Sequence, residues 1–468
     1  MLAYKLREAL MKFHFGVAAR TLSITAFTAL CFLPSSSAVA QSLDGVWRSE
    51  GYGYVFEVKG STWKAFEVTA RTCVVGFNAI QSKVALKGQE STFKIVDGDV
   101  FFVKAGGSNN HKVLHFDGSA SDMRMDRLPQ MPAVCDRLTP NTPIDNFEVF
   151  ARAWAENYIS FDLKHVDWGE VVAANRAKVT ADTLPAALFD VLTGMIRRFG
   201  DRHTFIEAPA LKTSFHGIRP GTNPVPKGAL EVTERAYLTR PLQKFCQDQV
   251  QYSQVDDTTG YLRILSFSDY APGGFASELV SLEAALDKIF SHNHLKALII
   301  DVRKNDGGSD PLGLAIASRL ATAPYLAYTK RARMDPVDRS KWTEGDESWV
   351  RPSSQPGFPG PVVELIGPRT ISAGETFTQA LMGRSPHITR IGENTQGVFS
   401  DVLDRHLPDG STFGLPNEVF FTQQGTAFDG PGIPPDIRVE VFADTDVAAG
   451  RDPGMAKALE VLRKGRTL

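Results

Sequence analysis

The spacing of apolar residues changes twice along this chain of 468 residues. In residues 44–130, short runs such as residues 52–58 alternate apolar and polar positions, which predicts a small all-β domain, either a barrel or a sandwich. In residues 144–215, apolar residues recur every third or fourth position, which predicts amphipathic helices. In residues 256–468, apolar strands such as residues 297–302 alternate with helical segments, which favours an α/β domain with a largely parallel sheet.

Two shorter segments join these regions. Residues 131–143 are rich in proline, which predicts a linker between the β domain and the helices. Residues 216–255 form a short connector of about 40 residues, fewer than the roughly 50 that a small domain needs. The sequence therefore predicts three folded regions and no additional domain between the helices and the α/β domain.

The first forty residues predict a secretory signal peptide. Basic residues, including Lys5 and Arg20, precede an apolar run at residues 22–33, and small residues lead to a cleavage site expected after Ala40. This run is too short to remain in a bilayer as a helix, and no later apolar stretch is long enough to span one. We therefore expect an exported protein, periplasmic or secreted, with no stable membrane span.

Composition narrows the range of partners. The formal net charge is −2, so the sequence gives no reason to expect nucleic acid or an anionic membrane as a partner. No group of cysteines and histidines has the spacing of a metal site, and no metal or cofactor is predicted. The sequence does not indicate an oligomeric state.

Export affects both the number of cysteines in the mature protein and their oxidation state. Removal of the signal peptide would take away Cys31 and leave Cys73, Cys135 and Cys246 in an oxidising compartment. Cys73 and Cys135 bracket the β domain, so we predict that they form a disulfide and that Cys246 stays reduced. The alternative is three unpaired, buried cysteines.

Ser372 is the first candidate for catalytic chemistry. An apolar strand at residues 361–367 is followed by Pro368 and then by a helical pattern, which places Ser372 at a strand–turn–helix junction. Free backbone N–H groups gather at the start of a helix, so this is a suitable position for a nucleophile beside oxyanion donors. The structural alternative is a capping box, in which Ser372 and Glu375 satisfy each other's N–H groups.

Three further motifs accompany Ser372. His203 follows a predicted helix, and histidine is the side chain best suited to act as a general base near neutral pH. A glycine-bearing turn that ends at Gly308 leaves a buried strand, and a rigid turn rich in proline and glycine carries Asp429. Taken singly, each motif has an ordinary structural explanation.

In their order along the chain, the motifs resemble the C-terminal processing peptidases, or tail-specific proteases, and more closely their tricorn-like serine–histidine branch. The matching segments are Gly-Asp-Arg-His-Thr at 200–204, Asp-Val-Arg-Lys-Asn-Asp-Gly-Gly at 301–308, Ile-Ser-Ala-Gly-Glu at 371–375, Ile-Gly-Glu-Asn-Thr-Gln-Gly at 391–397 and Gly-Ile-Pro-Pro-Asp at 432–436. The resemblance covers residues 147–462. It implies a ClpP/crotonase-type α/β core of repeated ββα units over residues 256–468, preceded by a helical cap over residues 144–215.

The resemblance also assigns roles. It makes Ser372 the nucleophile and His203 the general base, and it makes Asp429 the carboxylate that orients the histidine. The backbone N–H groups of Gly308 and Ala373 would form the oxyanion hole. No cofactor is implied.

The chain departs from the family pattern in three places. Val398 stands where many members carry a catalytic lysine, which leaves the histidine as the base. Arg202 stands where the tricorn type commonly has a serine beside the histidine. The connector at residues 216–255 is too short for the peptide-binding PDZ module of many relatives.

The function implied is that of an exported serine endopeptidase, which hydrolyses peptide bonds in protein or peptide substrates through an acyl-enzyme. Two alternatives stay open at this point. The fold could serve a catalytically silent protein that binds a ligand or peptide, or the same residues could act as an esterase on small esters.

Overall fold

The computed structural model describes residues 43–82, 91–96, 98–291 and 294–465. The predicted signal peptide, with Cys31 and the cleavage site after Ala40, lies outside these residues. No helix in the described ranges has both the length and the apolar character that crossing a bilayer requires.

Eight antiparallel strands close into a barrel near the N-terminus. The barrel strands are β1 (Gly45–Ser49), β2 (Tyr54–Lys59), β3 (Thr62–Val68), β4 (Cys73–Gln81), β5 (Thr92–Ile95), β6 (Val100–Ser108), β7 (His111–Phe116) and β8 (Met123–Leu128). Strand β1 pairs with both β2 and β8, which closes the barrel. Alternate residues fill the interior, as Phe56 and Val58 on β2 illustrate: both are buried, while Glu57 between them is partly exposed. The predicted all-β domain is confirmed, and it is a barrel.

A disulfide joins Cys73 on β4 to Cys135 in the proline-rich segment, as predicted. Cys246 is buried and is not part of a disulfide. The segment is held a second time at Thr139, whose backbone N–H donates to the carbonyl oxygen of Cys73 at 2.9 Å. The linker therefore leaves the barrel from a fixed point.

Three helices and two short strands follow. They are α1 (Pro143–Asn157), α2 (Trp168–Arg176), α3 (Pro185–Ile196), β9 (Phe205–Ala208) and β10 (Thr213–His216). Thr142 caps the first helix, because its hydroxyl accepts the N–H of Asp145 at 3.1 Å. Phe147, Phe150 and Trp154 form the buried stripe of α1 and belong to the same apolar cluster as the barrel interior. The helices and the barrel thus share one core.

The remaining elements build the α/β domain. They are α4 (Ala229–Tyr237), β11 (Gln243–Phe245), β12 (Val250–Asp256), β13 (Thr259–Ile264), α5 (Phe275–Phe290), β14 (Ala297–Asp301), β15 (Lys304–Asn305), α6 (Asp310–Ser318), β16 (Tyr325–Ala332), β17 (Asp346–Val350), β18 (Val362–Ile366), β19 (Arg369–Thr370), α7 (Ala373–Met382), β20 (Thr389–Gly392), β21 (Val402–His406), β22 (Thr412–Pro416), β23 (Glu418–Phe421), β24 (Ile437–Arg438), α8 (Asp444–Ala448) and α9 (Pro453–Gly465).

The main sheet of this domain has seven strands in the order β11-β12-β13-β14-β18-β20-β24. Pairing is parallel from β13 to β24 and antiparallel among β11, β12 and β13. Both faces are covered, since Leu298 and Ile300 of β14 pack in the cluster that contains α5, α6 and α7, whereas Ile299 packs with Met455 of α9. This arrangement explains why the central strands are continuously apolar.

Two short pairings go beyond what the sequence predicts. Strands β11 and β12 lie in the segment predicted to be a connector, and they extend the main sheet. Strand β9 lies in the predicted helical cap and pairs with β22, in a four-stranded sheet ordered β10-β9-β22-β21. These strands have three to seven residues, so their periodicity is too brief to be distinctive. The β9 pairing matters most, because His203 lies two residues before the start of that strand.

Candidate active site

Ser372 occupies a strained turn between β19 and α7. Its backbone has φ of 55° and ψ of −122°, a left-handed conformation that costs energy for a residue with a side chain. Its hydroxyl makes no capping hydrogen bond to α7. The carboxylate of Glu375 accepts from the N–H groups of Gly397 and Val398, at 2.6 and 2.7 Å, and also interacts with the backbone N–H of Ser372. The serine half of the capping box is therefore absent, and the Ser372 hydroxyl is left for other chemistry.

The turn before Gly308 packs directly against Ser372. Strand β15 pairs with β19, and the carbonyl oxygen of Asn305 accepts the N–H of Ile371 at 3.1 Å. Gly307 lies so close that a Cβ atom there would be 2.8 Å from the Cβ of Ser372 and 3.3 Å from its Oγ. Two motifs that are more than sixty residues apart in sequence therefore form one surface.

This surface presents two backbone donors. Ala373 is the first residue of α7, where N–H groups have no partner within the helix. Gly308 is flanked by groups that bond to Phe267: the carbonyl oxygen of Gly307 at 2.6 Å and the N–H of Ser309 at 2.8 Å. The N–H groups of Gly308 and Ala373 themselves make no hydrogen bond to any residue the structure describes. Both are free to donate to a bound oxygen atom.

Residues 397–401, which we call the bridging loop, connect the remaining groups to Ser372. The carbonyl oxygen of Val398 accepts the N–H of Ser372 at 3.1 Å. The next residue, Phe399, donates its N–H to Oδ1 of Asp429 at 3.4 Å. A hydrogen bond between the His203 side chain and the backbone of Ser400 raises the pKa of His203. The bridging loop therefore contacts all three residues that the sequence selects, Ser372 through its backbone N–H and His203 and Asp429 through their side chains.

His203 is held from its own motif as well. Its backbone N–H donates to Oδ1 of Asp201, a buried carboxylate, at 2.8 Å. Its Nδ1 atom is buried and has no hydrogen-bond partner among the described residues. Burial lowers the pKa of His203, and the negative charges of Asp201 and Asp401 oppose that lowering. The ring is thus held neutral near pH 7, in the form that accepts a proton.

No hydrogen bond in the described part of the chain joins His203 directly to Ser372 or to Asp429. Contacts of this kind often form only when substrate is bound. The carboxylates whose charges act most strongly on His203 are Asp201 and Asp401. Sequence reasoning passed over Asp201, although it lies in the histidine motif, and it assigned Glu375 only to a helix cap.

Asp429 differs from an ordinary orienting carboxylate. Its Oδ2 atom is buried without a partner among the described residues. Burial, together with the nearby charges of Glu375 and Asp201, raises the pKa of Asp429 to about 8. Near neutral pH it is therefore mainly an uncharged acid, which accepts the Phe399 N–H through Oδ1.

We expect Asp429→Asn to stabilise the protein more at pH 8 than at pH 5. An unfolded aspartate has a pKa near 3.9, so the folded state holds a proton that the unfolded state has lost, and stability falls as pH rises from about 4 through about 8. Asparagine removes this proton requirement. The gain in unfolding free energy should grow by about 3 kcal/mol between the two pH values in urea titrations. The exposed substitution Asp190→Asn is the control, and a gain that is equal at both pH values would contradict the assignment.

Gly307→Ala should lower kcat/KM for a substrate by about 100-fold or more. Gly307 has φ of 85°, and the added methyl would press on Ser372, where a displacement of about 1 Å suffices for such a loss. Gly410→Ala is a matched control, because Gly410 has φ of 86° and open space around its Cβ position. We expect similar backbone strain in both variants but normal activity in the control. Equal activity in the two would argue against the close packing at Ser372.

The part of the chain that the structure describes contains no group of three or more His, Cys, Asp or Glu side chains arranged to hold a metal ion.

The model of peptidase family S41 matches residues 258–439. This part of the chain is therefore similar to peptidase family S41. This is a family of serine-type peptidases. The S41 match contains Gly308, Ser372, Ala373 and Asp429, whereas His203 precedes it.

Individual relatives agree with this similarity. The carboxy-terminal-processing protease of Bartonella bacilliformis is 26% identical over 190 residues, which are 40% of this chain and 40% of that protein. This chain thus matches less than half the length of this relative. The structure of a predicted peptidase from Parabacteroides merdae is 25% identical, with a TM-score of 0.59 over 69% of this chain and 97% of the other. Mature CPAF, at 13% identity and a TM-score of 0.50, covers 70% of this chain and 97% of its own, and shows the fold alone.

Proposed function

We propose that this protein is an exported serine endopeptidase that hydrolyses peptide bonds through an acyl-enzyme. The observation that carries the proposal is the attachment of Ser372, His203 and Asp429 to one bridging loop, beside two free backbone donors. A nucleophile, a neutral base and oxyanion donors are the groups that acyl transfer requires.

Acylation begins when His203 accepts the hydroxyl proton of Ser372. The Oγ atom attacks the carbonyl carbon of the scissile peptide bond, and the negative charge that develops on the carbonyl oxygen is met by the N–H groups of Gly308 and Ala373. When the C–N bond breaks, the protonated His203 gives its proton to the departing amine. The acyl group is now an ester of Ser372.

Deacylation repeats these steps with water. His203 accepts a proton from a water molecule, whose oxygen attacks the ester carbonyl. The same two N–H groups stabilise the second oxyanion, and His203 returns its proton to Oγ of Ser372. The products are a new carboxyl terminus and a regenerated serine.

Carboxylates are proposed to stabilise the imidazolium that forms in each step. Asp201 and Asp401 supply negative charge at His203, which favours its protonated form. Asp429, largely uncharged near neutral pH, supports the bridging loop through Phe399. The orienting role that the family resemblance assigns to Asp429 is thus proposed to be shared with Asp201.

Export is supported by two observations. The N-terminal sequence has the pattern of a signal peptide, and Cys73 and Cys135 form a disulfide, which persists in oxidising compartments. We propose a periplasmic or secreted location, with a protein or peptide as substrate.

A fluorophosphonate probe tests the function. The native protein should be labelled covalently, with the label mapped to Ser372 by mass spectrometry, while heat-denatured protein and Ser372→Ala should not be labelled. Absence of labelling would favour a catalytically silent binding protein. Matched ester and amide substrates then separate the activities, because turnover of esters alone would indicate an esterase.

A further inference from the structure

A cavity of about 780 Å³ lies between the mouth of the barrel and the α/β domain. Gly308, a proposed oxyanion donor, is part of its wall. The next residue, Ser309, donates its hydroxyl to the carbonyl oxygen of Gly118 in the barrel at 2.9 Å, which fixes the two walls to each other. The cavity therefore adjoins the place where a scissile carbonyl would bind.

The lining of the cavity combines apolar and acidic side chains. The barrel contributes apolar side chains, among them Phe77, Leu114 and Phe116. Both parts contribute carboxylates, among them Asp99 and Asp117 from the barrel and Asp310, Asp401, Asp404 and Glu418 from the α/β domain. A ligand that matches this lining has an apolar stem and a cationic end.

The cations in the wall are already engaged. Lys330 pairs with Asp401 and, at 3.1 Å, with Glu418. His406 pairs with Glu67 at 2.7 Å. These two residues do not neutralise the remaining carboxylates of the wall.

Four carboxylates of the wall lack such a partner. They form no salt bridge with any residue in the described ranges, and they are Asp99, Asp117, Asp310 and Asp404. Asp310 is buried, and its one side-chain hydrogen bond is to the hydroxyl of Thr376, at 2.6 Å. Burial raises the pKa of Asp310 to about 7, so the exposed part of the acidic lining depends on Asp99, Asp117 and Asp404 for its charge.

Asn417 gives an independent indication of a ligand. It lines the cavity with only 2% of its surface exposed, and its Nδ2 atom has no hydrogen-bond partner among the described residues. A buried amide donor without an acceptor is costly. A peptide carbonyl entering the cavity would supply that acceptor. The backbone N–H of Asn417 donates to the hydroxyl of Ser400 at 3.0 Å, which places Asn417 beside the bridging loop.

We propose that this cavity receives the lysine or arginine side chain of a substrate residue adjacent to the scissile bond. The inference rests on the proposed peptidase function and deepens it by naming a substrate class. The aliphatic stem would lie along Phe77 and Phe116, and the cationic head would meet Asp117 and Asp404. Because the cavity wall includes Gly308, the recognised residue is a neighbour of the bond being cut.

The cleavage pattern is the first test. Digestion of a mixed peptide library, read by mass spectrometry, should show lysine and arginine enriched at one position next to the cut. A matched pair of fluorogenic peptides then replaces that residue by norleucine, which has a similar stem without the charge. We expect kcat/KM to favour lysine about tenfold or more.

A variant without two of the cavity carboxylates tests whether this cavity causes the preference for lysine. Asp117→Asn combined with Asp404→Asn should lower the lysine-to-norleucine ratio about tenfold, whereas Asp190→Asn, an exposed carboxylate on α3, should leave the ratio unchanged. A ratio near one in the wild type, or a ratio that the double variant leaves intact, would overturn the inference while the peptidase function stands.

A binding measurement tests the proposed side-chain site independently of catalysis. Fluorescence anisotropy of the same two labelled peptides on Ser372→Ala should show tighter binding of the lysine peptide. Charge-selective binding with no Ser372-dependent hydrolysis by the wild type would support the basic side-chain site and reject the peptidase. Equal binding of the two peptides would reject the site.

Discussion

Ser372→Ala is expected to lower kcat for peptide hydrolysis by about 10⁴- to 10⁶-fold. Alanine keeps the size of the residue but removes the oxygen that forms the acyl bond. The backbone contacts of Ser372, to Val398 and to the start of α7, do not involve the hydroxyl and should survive. Steady-state kinetics on a peptide found in the library digestion would measure the loss.

Folding must be followed in parallel. Thermal unfolding of Ser372→Ala should stay within a few degrees of the wild type, and the exposed substitution Ser340→Ala should keep full activity. Retention of more than about 1% of wild-type turnover by Ser372→Ala would place the nucleophile elsewhere.

His203→Gln is expected to lower kcat by about 10³-fold or more, because no other side chain in the site is a neutral base. In the wild type, activity should rise with pH as the imidazole loses its proton. Burial lowers the pKa of His203, so the midpoint of this rise should fall below the ordinary value of about 6.5. If a lysine were the base, the rise of activity would occur at higher pH. The profile of kcat/KM between pH 4 and 9 measures this midpoint.

Two further variants sharpen this test. Asp201→Asn removes a charge that raises the pKa of His203. The midpoint of the rise in activity should therefore move to lower pH, and kcat should fall. His216→Gln is the matched histidine control, since His216 lies on β10 with an exposed side chain 3.8 Å from Glu207. If His203→Gln stays near wild-type activity and His216→Gln loses it, then His216 is the base.

The similarity to S41 peptidases and the α/β core were predictable from sequence because short motifs encode them. The strand–turn–helix pattern around Ser372 and the glycine turn at Gly308 are local features, and both are present. Alternation of apolar residues likewise predicted the barrel strands, and it too depends on neighbours in the chain. The disulfide was predicted from the cysteines left after export, although Cys73 lies on the fourth of the eight strands rather than at an end of the barrel.

The capping box was only half correct. The Ser372 hydroxyl makes no cap, and the Glu375 carboxylate accepts two N–H groups from the bridging loop, more than twenty residues away, in addition to its interaction with the N–H of Ser372. Spacing within a helix turn cannot reveal such a partner. The pKa of Glu375, which burial raises to about 7, depends on this enclosure as well.

Residue type, glycine turns and apolar periodicity are local properties, so the sequence was sufficient to select Ser372, His203 and Asp429 as candidates. How these candidates are coupled depends on the folded chain. Burial and distant charges set the pKa values of His203 and Asp429, and the pairing of β9 with β22 positions the histidine. The acidic cavity beside Gly308 exists because the barrel packs on the α/β domain. Electrostatic energy depends on the distance between charges in space and on the exclusion of water. Neither quantity can be inferred from the order of residues along the chain.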